Sequence, residues 1–78
     1  MKYTAEEASK KYHGVYFTGD VWIAEGVVIK EGLEAFKETK IEQGTRIWKG
    51  ARIEQGAVIK RNSWIGENTR IEKGADGS

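Results

Sequence analysis

Cysteine and proline are both missing from the 78 residues. Without cysteine there is no disulfide framework and no thiolate zinc site. With one histidine in total, His13, a three-histidine zinc centre is excluded as well. No apolar run approaches the roughly 18 residues a membrane-spanning helix needs, and the opening M-K-Y-T-A-E-E carries no apolar signal core. An excess of charge is lacking too. Thirteen Lys and Arg against 12 Asp and Glu leave +1, not the clustered basic surplus that phosphate backbones require. Neither nucleic acid nor a membrane is expected as a partner. The length allows one small domain. A soluble chain is expected, with the cytoplasm as the default compartment.

What is present is a repeat. From Ile41 the chain reads I-E-Q-G-T-R, I-W-K-G-A-R, I-E-Q-G-A-V, I-K-R-N-S-W, I-G-E-N-T-R, I-E-K-G-A-D. Isoleucine recurs every six residues at Ile41, Ile47, Ile53, Ile59, Ile65 and Ile71. Backwards, the register continues through Ala35, Ile29, Ile23 and Phe17. It runs unbroken for ten hexads, from Phe17 to Asp76. Three residues after each of these comes Asp20, Gly26, Gly32, Glu38, Gly44, Gly50, Gly56, Asn62, Asn68 or Gly74. All but Glu38 belong to types that tolerate a left-handed backbone. Two residues before sits a small or β-branched side chain, with Leu33 the larger exception.

These columns have a direct physical reading. A β-branched inward residue favours extended backbone. A left-handed residue at every sixth position makes a corner, and small side chains beside it let the interior close. Three hexads make a triangular turn of about 18 residues, with successive turns paired as parallel strands about 4.8 Å apart. Ten hexads make a little over three turns. Stacking at that interval predicts three core columns: Ile23–Ile41–Ile59, Ile29–Ile47–Ile65 and Phe17–Ala35–Ile53–Ile71. In the third, the small Ala35 falls beside the one inward aromatic, Phe17, so a large and a small side chain share the volume.

The same columns resemble the hexapeptide-repeat family, over about Val15 to Asp76. The resemblance implies an all-β fold, a left-handed parallel β-helix of about three triangular coils. The left hand comes from the resemblance, since crossovers are right-handed as a rule. Ahead of the repeat, Thr4 to Tyr12 predicts a short capping α-helix. Thr4 and Glu7 fit a capping box, Glu6 and Glu7 suit its start, and Lys10 and Lys11 suit its end. Tyr3 or Ala5, with Ala8 and Tyr12, would face the open end of the coil, as terminal repeats require. The expected organisation is an N-terminal segment over 1–14, the coil over 15–76 and a tail at 77–78. The C-terminal end shows no comparable cap. Stacking on another copy, docking of a partner and excision from a longer chain each fit.

Relatives in the resembled family are often acyltransferases, which imply a histidine base and acyl-CoA or a nucleotide sugar in a groove between subunits of a trimer. Others are γ-class carbonic anhydrases with three zinc-bound histidines. His13 is the one candidate base, but it precedes the coils and matches no motif position of that family, so a structural role at the cap junction is expected. The glycines are corner residues; neither a G-x-G-x-x-G nor a Walker pattern occurs. Glu34, Arg52 and Arg70, with Phe36, Glu54 and Glu72, predict a solvated face of mixed charge. Flat threonine arrays of the ice-binding type are not expected outward.

The aromatic residues carry more information. By alternation Trp48 and Trp64 point outward on one face. Their ladders read Val28, Arg46, Trp64 and Lys30, Trp48, Gly66. Trp22 lies outward on a neighbouring face. Exposed tryptophan beside arginine marks interfaces; the alternative is that each ring covers aliphatic stems on a monomer. The expectation is a non-catalytic structural module without cofactor or metal. It would self-associate through Trp48, Trp64, Val28, Arg46 and Trp22 as a homotrimer or an end-to-end dimer. The alternative is an acyltransferase-like protein, or the coil domain of a sugar-nucleotide transferase, binding acyl-CoA or a nucleotide sugar.

Overall fold

Residues 1–77 are described in the structure, a computed structural model. Each hexad contributes a two- or three-residue strand that ends on its inward residue. After β1 (Lys2–Tyr3) and α1 (Ala5–Lys11), the strands run β2 (Tyr16–Phe17), β3 (Val21–Ile23), β4 (Val28–Ile29), β5 (Glu34–Ala35) and β6 (Lys40–Ile41). They continue through β7 (Arg46–Ile47), β8 (Arg52–Ile53), β9 (Val58–Ile59), β10 (Trp64–Ile65), β11 (Arg70–Ile71) and β12 (Asp76–Gly77). Every third strand pairs, which generates three sheets: β1-β3-β6-β9-β12, β4-β7-β10 and β2-β5-β8-β11. All pairings are parallel except that of β1. The result is a parallel β-solenoid of about three turns.

The register follows the interval of 18. Ile23 faces Ile41 and Ile41 faces Ile59. Ile29, Ile47 and Ile65 align in the second sheet. Phe17, Ala35, Ile53 and Ile71 align in the third. Backbone N–H groups donate from coil to coil, as from Val28 to the Thr45 carbonyl and from Arg46 to the Ser63 carbonyl, each at 2.9 Å. The middle of each column is fully buried, while Ile29 and Ile71, nearest the two ends, are half-buried. Thr39, Thr45 and Ser63 are buried beside the corners. Their hydroxyls donate to the carbonyls of Phe36 (2.6 Å), Lys60 (2.9 Å) and Lys60 (2.5 Å) respectively, so no buried hydroxyl of this column goes unpaired.

The corners take the left-handed conformation, with two departures from the sequence pattern. Glu38, the residue type least suited to it, has φ 64°. Asp20 takes no positive φ. That corner bends beside Gly19, which backs onto Lys37 so closely that a Cβ would lie 2.5 Å from the Lys37 Cβ. Where Asn replaces Gly, at Asn62 and Asn68, the amide lies over the glycine one coil earlier. A Cβ at Gly44 or Gly50 would strike the Asn62 or Asn68 Oδ1.

The N-terminal segment caps the first coil by two devices. The capping box forms: the Glu7 N–H donates to Thr4 Oγ1 at 3.2 Å, and the Thr4 N–H to Glu7 Oε1 at 2.9 Å. The helix buries Ala8 and lays Ala5 and Tyr12 on the core. The second device is absent from the sequence reading. Strand β1 adds antiparallel to β3, pairing Lys2 with Trp22 and Tyr3 with Val21. The Met1 amine donates to the Ile23 carbonyl at 3.0 Å, and the Ile23 N–H returns a bond to the Met1 carbonyl at 2.9 Å. An open parallel edge is thereby closed by a strand running the other way. Among the described residues no helix is long and apolar enough to cross a membrane.

Candidate functional site

Parallel pairing in β4-β7-β10 holds Val28, Arg46 and Trp64 in one outward ladder. The residues after the inward isoleucines, Lys30, Trp48 and Gly66, form the ladder beside it. The tryptophans therefore sit on successive coils and on adjacent ladders. Their ring centroids are 5.4 Å apart and tilted by 51°, within the range of favourable aromatic pairs. Each ring also carries a cation. The Arg46 guanidinium lies 5.9 Å from the Trp64 centroid, and the Lys30 ammonium 5.6 Å from that of Trp48. Trp64 is 62% exposed and Val28 42%, whereas Trp48 is half-buried beneath this cluster.

Two features set the face apart chemically. First, Lys30 and Arg46 lie over its two rings, with the carboxylates of Glu31 and Glu67 at the edge beside Lys30 and Trp48. Second, the Trp48 indole nitrogen is buried with no hydrogen-bond acceptor. A buried donor left unpaired costs about 1–3 kcal/mol.

Trp22 is not part of this cluster. It lies on the sheet of β3, β6 and β9, 50% exposed, with the Lys40 ammonium 5.7 Å from its centroid. The third side carries the mixed charges. Arg52 Nε reaches Glu54 Oε2 at 3.0 Å and Glu34 at 4.0 Å. Arg70 Nε reaches Glu54 Oε2 at 3.2 Å and Glu72 at 3.7 Å. The Arg52 guanidinium also covers Phe36, 5.2 Å from its centroid. The pairs with Glu34 and Glu72 are exposed and contribute about 0–1 kcal/mol each, whereas the shared Glu54 is only 17% exposed. His13 is exposed in the turn between α1 and β2, apart from both tryptophans. Among the described residues no three His, Cys, Asp or Glu are grouped to hold a metal.

The sequence reading missed a depression of about 600 Å³ at the N-terminal end, lined by Tyr3, Lys11, Tyr12, Ile23, Glu25 and Val27 among others. It exists because β1 brings Tyr3 opposite α1. The Lys11 ammonium donates to the Tyr3 hydroxyl at 3.0 Å and lies 5.4 Å and 6.0 Å from the Tyr3 and Tyr12 centroids. That hydrogen bond, with the nearby phenols, holds the Lys11 pKa above its ordinary value. Burial raises that of Tyr12, and the Lys11 charge opposes the rise. The one signal in the sequence was the placing of two tyrosines around Lys11 in a segment already expected to cap.

No family model matches this chain, and no significant match to it is found among curated proteins or solved structures.

Proposed function

We propose that this chain is a non-catalytic structural module of the hexapeptide-repeat type, coiled left-handed, that associates with its own copies through the Trp48/Trp64 face. One observation carries the reading. A large aromatic pair, with Val28 and two stacked cations, is held outward on a parallel sheet, with Trp64 and Val28 left exposed among the described residues. Clustered exposed tryptophan and arginine are the side chains that dominate association energetics. The sheet holds them in place before contact, which lowers the ordering cost of binding. The catalytic alternative draws no comparable support, since His13 lies in a turn outside the coils.

Sedimentation equilibrium tests the reading. The wild-type chain is expected above its single-chain mass of 8.8 kDa. The double variant Trp48→Lys, Trp64→Lys is expected to fall to that mass with its melting curve still cooperative. A wild-type chain that stays monomeric at millimolar concentration defeats the proposal.

A further inference from the structure

The depression at the N-terminal end carries chemistry that winding the coil does not call for. Ile23 and Val27 give it apolar surface, and the Tyr3 and Tyr12 rings give it aromatic surface. Two opposite charges line it as well: Lys11 at the end of α1, and Glu25 at the corner after β3. Its volume of about 600 Å³ lies within the range of small-molecule sites.

Neither charge is fully used. The Lys11 ammonium gives one hydrogen to the Tyr3 hydroxyl at 3.0 Å, which leaves two of its three donors. Among the described residues neither Lys11 nor Glu25 forms an ion pair. The two are therefore too far apart to pair with each other. The Tyr3 hydrogen bond first, and Glu25 in smaller part, hold Lys11 in its charged form. The Met1 amine reaches the same depression and donates to the Ile23 carbonyl at 3.0 Å.

This arrangement selects among ligands by charge. A plain anion is attracted by Lys11 and repelled by Glu25. A plain cation meets the reverse. A molecule with both charges is repelled by neither: its anionic head takes the free Lys11 donors, and its cationic head answers Glu25. An apolar body between the heads covers Ile23, Val27 and the tyrosine rings, and so removes apolar surface from water.

We infer that the depression binds a small zwitterion, an α-amino acid with an aromatic or branched apolar side chain, its carboxylate on Lys11 and its ammonium on Glu25. The site shares no residue with the tryptophan pair, so the inference stands whether or not copies associate.

Titration with L-phenylalanine, followed by nuclear magnetic resonance of the wild-type chain, tests this. Saturable shifts are expected at Tyr3, Lys11, Tyr12, Glu25 and Val27. The dissociation constant is expected on the order of 1 mM, because Lys11 and Glu25 are both exposed and exposed charges hold a partner weakly. N-acetyl-phenylalanine lacks the ammonium and phenylalaninamide lacks the carboxylate. Each is expected to bind about tenfold more weakly. In Glu25→Gln the preference for phenylalanine over N-acetyl-phenylalanine should vanish. In Lys11→Met the preference over phenylalaninamide should shrink. Unchanged amide shifts in β6 to β9 separate lost binding from lost fold, and the blocked ligands need no variant at all.

The absence of saturable shifts at tens of millimolar phenylalanine overturns the inference. Equal binding of N-acetyl-phenylalanine overturns it in favour of a plain anion site, and equal binding of phenylalaninamide in favour of a plain cation site. Full retention of both preferences in the two variants overturns it as well.

Discussion

Ala35 sits between Phe17 and Ile53 in a column otherwise built of larger side chains, and none of its surface reaches solvent. The phenyl ring one coil earlier fills the space an isoleucine would need. Ala35→Ile is therefore expected to destabilise by about 1–3 kcal/mol through overpacking, read as a lower melting temperature. An unchanged melt would contradict this packing. Glu38 offers the opposite case. Its φ of 64° costs an L-residue about 1–2 kcal/mol, while glycine has an unfolded-state entropy penalty of about 0.4–1 kcal/mol. Glu38→Gly should gain the difference, about 0–1.5 kcal/mol in chemical denaturation. The side chain gives up only an exposed 3.3 Å bond from Gln55 Nε2. The columns around both residues were legible because an interval of six leaves each position one environment. That Glu38 would turn left-handed and Asp20 would not was not legible. At that corner Gly19 backs onto Lys37, a contact 18 residues apart in the chain that no single hexad displays.

At the scale of elements, the seven-residue α1 is too short to persist alone. It holds because Thr4 and Glu7 satisfy its first turn and because Ala8 packs on the coil. Thr4→Ala should cost about 1 kcal/mol, seen as faster amide exchange in α1 than in β6 to β9. The cap also gives stability a limit at high pH. In the folded chain Lys11 and Tyr12 both titrate above their ordinary values. Groups raised on folding contribute fully below their unfolded pKa, about 10 for tyrosine, and that contribution is lost as pH rises through the folded values. Melting temperature is expected to hold to about pH 10 and to fall above it. Tyr12→Phe should flatten that fall, and a fall of equal steepness would clear Tyr12 of the effect. The helix was legible from its capping residues and charge order. Strand β1 was not, because two residues show no alternation and its partner β3 is 20 residues away.

As a whole molecule, the solenoid distributes its chemistry by side: the tryptophan pair with its cations, Trp22 beneath Lys40, and arginines paired with glutamates. Of the expected interface residues, Trp48, Trp64, Val28 and Arg46 are brought together. Trp22 belongs to a different side, and His13 to none. The mass expected of the Trp48→Lys, Trp64→Lys variant belongs to this scale, since it depends on the side that two copies present to each other. The ladders could be written from the interval of 18 alone. The contacts within them could not: a 5.4 Å ring separation and a buried indole nitrogen depend on the rotamers of long side chains that the backbone leaves several choices.

By itself, then, the amino-acid sequence determined the 18-residue turn, the parallel register, the three core columns, most corners and the capping helix. Each of these follows from a local residue preference repeated at one interval, so neighbouring coils agree without any further information. Tertiary structure alone decided the antiparallel strand that closes the first edge, the departure at Asp20, the depression under Lys11 and the tight pairing of Trp48 with Trp64. Those features arise where non-periodic residues meet the periodic coil, or where flexible side chains choose among partners. Their energies come from contacts between residues that no repeat places in advance.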